Sequence, residues 1–137
     1  MQPVPYVFFN GEARAALTAW GAIFGTTPDI MDASGMADEM GLPDDRRDWV
    51  MHGHLKIGEG AVMASDNLTG TSDRMAGVSI MVSQPTADEA RAIFDRLAEG
   101  GEVTMPFAPT FWTTGFGTCV DRFGVRWMVG SDEAPPG

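Results

Sequence analysis

Apolar residues recur at helical spacing in two stretches of this 137-residue chain, residues 11–25 and residues 86–101. Gly25 ends the first stretch and a pair of glycines ends the second, and glycine is the residue most often found just beyond a helix C-terminus. Asn10 precedes the first stretch, and we predict that its side chain is the N-cap. The pattern therefore predicts two separate helices.

The second helix begins with a stronger signal than the first. Thr86 is followed three positions later by Glu89, which is the spacing of a capping box, in which each side chain accepts a hydrogen bond from the other's backbone. The residues expected to face the core are Ala13, Ala16, Leu17, Trp20, Ile23 and Phe24 in the first helix, and Ala90, Ile93, Phe94 and Leu97 in the second.

Short runs of apolar, β-branched and aromatic residues around the helices predict strands. Residues 58–60, Gly-Glu-Gly, separate two such runs closely enough to predict a hairpin. Residues 37–48 are polar and contain Gly and Pro, which predicts a loop. The predicted strands are residues 4–10, 27–36, 49–58, 60–66, 77–83, 102–112, 116–124 and 125–131.

The two halves of the chain share the order strand, helix, strand, strand, strand. The helical stretches "GEARAALTAW" and "DEARAIFDRL" also share a Glu-Ala-Arg run in register. We interpret the agreement in element order as an internal duplication. Module 1 is residues 1–66, residues 67–75 are the linker, module 2 is residues 76–132, and residues 133–137 are predicted to be a frayed tail.

The charge balance excludes one class of partner. The formal net charge is −10 and the sequence pI is about 4.3. Such an acidic surface repels phosphate backbones, so we expect no nucleic-acid partner. No apolar run reaches about 18 residues, and no cationic stretch precedes an apolar one near residue 1, so we expect no membrane span and a cytoplasmic location. The single cysteine, Cys119, rules out an intramolecular disulfide and fits a reducing compartment.

Three stretches carry a family resemblance: "FNGEARAALTAWGAIFG", "MHGHLKIGEGAVMASD" and "TMPFAPTFWTTGFGTCVDRFGVRWMV". With the duplicated module, they resemble the PhnB-like (3-demethylubiquinone-9 3-methyltransferase-like) family of the vicinal oxygen chelate superfamily, which includes glyoxalase I, bleomycin-resistance proteins and extradiol dioxygenases. The resemblance implies an α+β protein of two tandem βαβββ modules, whose curved mixed sheets surround a cleft, as in the glyoxalase-like fold. It also implies a homodimer. Thr113 stands where the family usually has glycine after the Phe-Trp pair.

The only two histidines, His52 and His54, lie two positions apart in a predicted strand, so both point to one face of it. With Glu59 they superficially match a cupin metal motif. That motif belongs to an all-β fold and needs a further histidine, whereas this chain has two predicted helices and no other histidine. The alternative is that the pair lines the cleft or forms ordinary hydrogen bonds, where one imidazole could act as a general base or bind an anion.

The resemblance also implies where a superfamily metal site would lie, with ligands from the first and last strand of each module. A set of His, Gln and Glu side chains there would hold a divalent cation. Met128 stands where the final strand should carry the glutamate, and Asp66 is one carboxylate at the end of the other module's last strand. A thioether does not replace a carboxylate for a hard or borderline cation, so we expect no bound metal.

Other side chains have both a structural and a functional interpretation. Cys119 has no thiolate-stabilising neighbour in sequence, so we expect a buried structural thiol, and Asp121 is expected to shape the turn at residues 122–124. Arg126 either binds an anionic ligand or pairs with a carboxylate of the acidic surface. The residues predicted to line the cleft are His52, His54, Ser65, Asp66, Phe111, Trp112, Arg126 and Trp127.

Three functions compete on these grounds. The first is a metal-free protein that binds a partly apolar small molecule. The second is a divalent-metal-dependent lyase or isomerase that works through an enolate-like intermediate. The third is a resistance protein that sequesters a cationic drug in an acidic groove. A methyltransferase would normally need a doubly wound sheet and a glycine-rich cofactor turn, and the sequence shows neither, so we expect no cofactor. No catalytic residue is assigned.

Overall fold

The computed structural model describes residues 1–136 and divides the chain into two units. The first unit is Met1–Arg74 and the second begins at Met75. The division falls inside residues 67–75, the polar segment between the two halves. Gly137, the last residue of the predicted tail, lies outside the described residues.

The first unit contains one four-stranded sheet in the order β1-β4-β3-β2. Strands β2, β3 and β4 are antiparallel neighbours, and β1 joins the edge of β4 in parallel. The elements are β1 (Tyr6–Phe9), α1 (Ala13–Phe24), β2 (Asp29–Asp32), α2 (Ala37–Met40), a 3-10 turn (Asp44–Arg46), β3 (Val50–Ile57) and β4 (Gly60–Asp66).

The segment between β2 and β3 differs from its sequence-based prediction. The predicted strand at residues 27–36 is shorter, and residues 37–48 contain α2 and the 3-10 turn rather than loop alone. The physical reason is a small apolar cluster, in which Ala33, Ala37 and Leu42 are buried together with Met51 and Leu68 packed against them. The short helix α2 brings these side chains together. The mostly polar sequence of residues 37–48 did not indicate this.

The prediction that Asn10 caps α1 is wrong. Glu12 occupies the N-cap position without a side-chain bond to the helix. The Asn10 amide instead bonds to Ser72, donating from Nδ2 to the carbonyl oxygen at 2.9 Å and accepting from the backbone N–H at 2.8 Å. The predicted C-terminal end at Gly25 is confirmed, since this glycine adopts φ = +76° and its N–H donates to the Gly21 carbonyl.

The second unit repeats the topology, with a four-stranded sheet in the order β5-β8-β7-β6. Its β5 and β8 are parallel, and its other pairs are antiparallel. The identical strand order supports the internal duplication. The elements are β5 (Ile80–Gln84), α3 (Ala87–Ala98), β6 (Glu102–Ala108), β7 (Phe116–Val120) and β8 (Arg126–Ser131).

The start of α3 confirms one prediction and the preceding strand corrects another. Thr86 is the N-cap, and its hydroxyl accepts from the Glu89 N–H at 3.2 Å. The strand predicted at residues 77–83 begins three residues later, because Gly77 has φ = +70° and ladder pairing starts at Ile80. A left-handed residue interrupts the extended chain at that point.

Each helix covers one face of its own sheet. Leu17 and Trp20 of α1 are buried in the first unit, and Phe94 and Leu97 of α3 are buried in the second. Close packing constrains one glycine: a Cβ on Gly53 would lie 2.3 Å from Cδ1 of Leu17. The residue between the two histidines is therefore glycine because the helix lies directly against β3 there.

No helix within residues 1–136 is both long and apolar enough to cross a membrane. The longest helices, α1 and α3, have 12 residues each. A membrane-spanning helix needs about 20 predominantly apolar residues.

Candidate functional site

The first unit has an open sheet face, opposite α1, that carries both histidines. Strand pairing aligns Tyr6 with Met63, and Met63 with His54. It also aligns Met31 with His52 and Phe8 with Ser65. Residues paired in register project to the same side of a sheet. Three of the residues predicted from sequence, His52, His54 and Ser65, therefore share this face.

Tyr6 and His52 form a phenol–imidazole pair on this face. The Tyr6 hydroxyl lies 3.1 Å from Nδ1 of His52, and the two rings are stacked with centroids 5.7 Å apart. Tyr6 is 38% exposed and His52 is half-buried. Such a pair can hydrogen-bond a ligand or exchange a proton with it. Sequence reasoning did not connect Tyr6 with His52, because strand order, not sequence spacing, brings β1 near β3.

Asp66 does not belong to the open face. It is 3% exposed and points to the helix side of β4. Its Oδ1 accepts from the N–H groups of Gly11 at 2.7 Å and Ala13 at 3.1 Å, and its Oδ2 accepts from the Val50 N–H at 2.9 Å. The carboxylate thus satisfies donors at the start of α1 and the start of β3. Both oxygens are used for structure and are unavailable to a cation.

The second unit has an equivalent open face, and here the sheet carries a cavity of about 250 Å³. The row Met81, Met128, Thr118 and Met105 crosses all four strands of the sheet. Arg126 lies in the next row. The side chains that line the cavity from this face belong to Ser79, Thr104, Thr118, Val120, Arg126 and Met128.

Trp127 borders the same cavity through its position on β8, but its ring lies on the helix side of the sheet. It is fully buried, and its Nε1 donates to Oδ2 of Asp121 at 2.9 Å. The other Asp121 oxygen accepts from the N–H groups of Phe123 at 2.9 Å and Val125 at 3.0 Å. The expected role of Asp121 in the turn is confirmed, and the same carboxylate also fixes the Trp127 indole.

Phe111 and Trp112 lie in the loop between β6 and β7. Phe111 is 90% exposed, and Trp112 contacts both Phe111 and Phe116 edge to face, with ring centroids 4.8 Å and 5.6 Å apart. Thr113, at the position where the family resemblance implies a glycine, is buried, and its hydroxyl donates to the Ser131 carbonyl at 2.7 Å. The substitution therefore ties this aromatic loop to the end of β8.

Cys119 is a buried free thiol, as expected. Burial raises its pKa to about 11, and the charge of Asp121 adds to that rise. A thiol with so high a pKa is almost entirely protonated at neutral pH. The group is therefore a poor nucleophile and a poor metal ligand.

The strands that would supply a superfamily metal site do not fit one. On the open faces, β1 presents Tyr6 and Phe8, and β4 presents Met63 and Ser65. Their counterparts are Met81 on β5 and Met128 on β8. Within residues 1–136, no three His, Cys, Asp or Glu side chains come close enough together to hold a metal ion. A divalent cation needs several nitrogen, oxygen or thiolate ligands, and these positions do not provide them.

Two βαβββ units, each with one helix-covered face and one open face, define the glyoxalase-like fold, which glyoxalase-related proteins of known structure share. The chain belongs to the family described as 3-demethylubiquinone-9 3-methyltransferase, whose model matches residues 2–130, and thus to the PhnB-like branch of the glyoxalase superfamily.

Individual relatives agree with this assignment. The crystal structure of protein PA1353 from Pseudomonas aeruginosa is 41% identical over 97% of this chain and 98% of that one, with a TM-score of 0.86. Protein YjdN of Escherichia coli strain K12 is 28% identical over 96% of both chains. A putative 3-demethylubiquinone-9 3-methyltransferase, PhnB protein, from Bacillus cereus is 20% identical over 96% and 99% of the chains, with a TM-score of 0.76, and shows the shared fold.

Proposed function

We propose that this protein binds a small, partly apolar molecule on the open faces of its sheets, without a metal ion. The observation that carries the proposal is the cavity of about 250 Å³ on the second sheet, lined by hydroxyls, an arginine and a methionine. Ligand sites combine an apolar lining with a few polar groups that fix orientation. Drug-sized ligands occupy about 300–1,000 Å³, so this cavity suits a small molecule or one end of a larger one.

The first unit supports the same proposal with different chemistry. Its open face exposes Phe8 and Met31, which are 56% and 58% exposed, near the hydrogen-bonded pair of Tyr6 and His52. Apolar surface next to an oriented polar pair is the composition expected where a ligand binds. We assign no catalytic residue.

No specific observation favours either of the two alternative functions. A metal-dependent lyase or isomerase needs a ligand set that the open-face residues do not supply. A resistance protein for cationic drugs needs an acidic groove, whereas the cavity presents the cation of Arg126. A methyltransferase activity, which the family description names, would normally need a doubly wound parallel sheet. Each sheet here instead has one parallel and two antiparallel strand pairs.

The resemblance to the family also suggests a cytoplasmic homodimer, and we include the dimer in the proposal. Exposed apolar side chains, including Met81 at 52%, support burial against a ligand or a second copy. Sedimentation of the full chain at several concentrations should give the mass of a dimer. A mass of one chain throughout would remove the dimer from the proposal without affecting ligand binding.

The test of binding is an NMR screen of ¹⁵N-labelled full-length protein against neutral and charged aromatic fragments, with metal content measured on protein purified without chelator. We expect saturable shifts of open-face amides and substoichiometric metal. Thr118→Val removes one cavity hydroxyl at constant shape and should weaken binding about threefold to tenfold. Thr27→Val, at an exposed position of the first unit, should leave binding unchanged.

Two outcomes would contradict the proposal. One is stoichiometric divalent metal that disappears in His52→Ala and is required for ligand binding. The other is the absence of saturable shifts across the whole screen, including fragments that match the cavity in size.

A further inference from the structure

The cavity on the second sheet contains an arginine without a described partner. The ion pairs Arg14–Asp32 and Arg47–Asp38 do not involve Arg126, and within residues 1–136 no hydrogen bond or ion pair engages its guanidinium group. The chain carries a net charge of −10, so carboxylates are abundant on its surface. A guanidinium that lines a cavity and has no such partner there is free to bind an anion.

Two hydroxyl groups that are hydrogen-bonded to each other line the same cavity as this cation. Thr104 and Thr118 lie on adjacent strands, with their Oγ1 atoms 2.6 Å apart. Each hydroxyl has one hydrogen to donate. One of the two hydrogens forms the bond between the threonines, and the other can be donated to a ligand oxygen. Ser79 adds a further hydroxyl to the lining.

The nearest carboxylate in the same row is that of Glu102. Strand pairing aligns Glu102 with Val120 and Val120 with Arg126, so the two charged residues lie two strands apart. Two inter-strand spacings separate their backbones by about 9–10 Å, and the two side chains form no ion pair in the structure. Glu102 is exposed and does not line the cavity.

The remaining lining is apolar, through Val120 and Met128. An ion alone gains nothing from such a surface, whereas an organic anion can place its charged end at the guanidinium and its apolar part against these side chains.

On these grounds, and resting on the proposed small-molecule function, we infer that the second sheet's cavity is a binding site for organic anions, in which Arg126 pairs with a carboxylate or phosphate group and Thr104, Thr118 and Ser79 hydrogen-bond its oxygens. The site combines one guanidinium cation, hydroxyl donors and an apolar lining. Carboxylate and phosphate share this recognition, and the experiment separates them.

The experiment titrates ¹⁵N-labelled full-length protein with benzoate, phenyl phosphate and neutral benzamide, following the backbone amides of Thr118, Val120 and Met128. We expect saturable shifts with at least one of the two anions and a much weaker response to benzamide. The relative affinities of benzoate and phenyl phosphate decide which anion the site prefers.

Matched variants test the cation itself. Arg126→Gln should weaken anion binding at least tenfold, because it removes a charge-assisted, two-point interaction. Arg126→Lys keeps the charge without the fork and should bind with intermediate affinity. Arg96→Gln makes the same charge change on α3, across the sheet from the cavity, and should bind like the unmodified protein.

Equal affinity for benzamide and benzoate at these amides would overturn the inference and leave the proposed small-molecule function intact. Unchanged anion affinity in Arg126→Gln, in a variant whose amide spectrum shows the native fold, would also overturn it. Failure of both anions, with saturable binding of other fragments elsewhere, would again reject only the anion site.

Discussion

The two units share a topology but use their buried carboxylates differently. In the first unit, Asp66 at the end of β4 joins the start of α1 to the start of β3. In the second, the buried carboxylate is Asp121, which holds the β7–β8 turn and the Trp127 indole. The two units therefore share their strand order, while the polar contacts that hold each unit together differ.

The helix starts show the same divergence. The α1 N-terminus depends on a carboxylate more than 50 residues away along the chain. The α3 N-terminus has its own local cap, Thr86, and an exposed carboxylate, Glu133, that accepts from the Ala87 N–H at 3.1 Å. A distant buried cap couples helix formation to sheet formation, whereas a local cap acts within one turn.

The largest expected effect comes from matched amide substitutions at the two helix starts. Asp66→Asn places an amide NH2 group where backbone N–H groups now donate, and should lower the free energy of unfolding by about 2–4 kcal/mol. Glu133→Gln makes the same change at an exposed site and should cost less than about 0.5 kcal/mol. Urea unfolding measures both values. An equal loss of unfolding free energy in the two variants would mean that the two helix starts do not differ in their dependence on a buried carboxylate.

A smaller effect should follow from removing the indole bond that distinguishes the second unit. Trp127→Phe removes the indole N–H that donates to Oδ2 of buried Asp121 and should lower the free energy of unfolding by about 1–3 kcal/mol. The control is Trp112→Phe, the same substitution at a half-exposed ring, with an expected cost within about 0.5 kcal/mol. Denaturant unfolding of both variants is the measurement, and a Trp127 variant as stable as the control would contradict this account.

The smallest effect concerns the thiol that only the second unit carries. Because the pKa of Cys119 is raised to about 11, the folded protein favours the neutral thiol. The linked stabilisation is present below the ordinary thiol pKa and is lost as the pH rises towards about 11. Alkylation by iodoacetamide at pH 8 should be much slower in folded than in urea-unfolded protein, and Cys119→Ala should flatten the alkaline loss of stability. Equal alkylation rates would show that the thiol is neither buried nor shifted.

The amino-acid sequence by itself determined the features that depend on neighbouring residues. The two long helices α1 and α3, the glycine stop at Gly25, the Thr86 cap and the hairpin between β3 and β4 were all predicted, and the structure confirms them. Each rests on contacts within a few positions, where residue type restricts the backbone directly. The structure of residues 37–48 was not predicted, because packing in a small apolar cluster, rather than a local sequence signal, stabilises it.

Only the tertiary structure decided the polar contacts between distant strands. Sequence spacing placed His52 and His54 on one face, but strand order brought Tyr6 to His52. Alternation alone did not show that Asp66 faces a helix start, or that Arg126 and Thr118 line the same cavity. These contacts join segments far apart in the chain, so their partners follow from sheet pairing and register, which no local pattern of residues specifies.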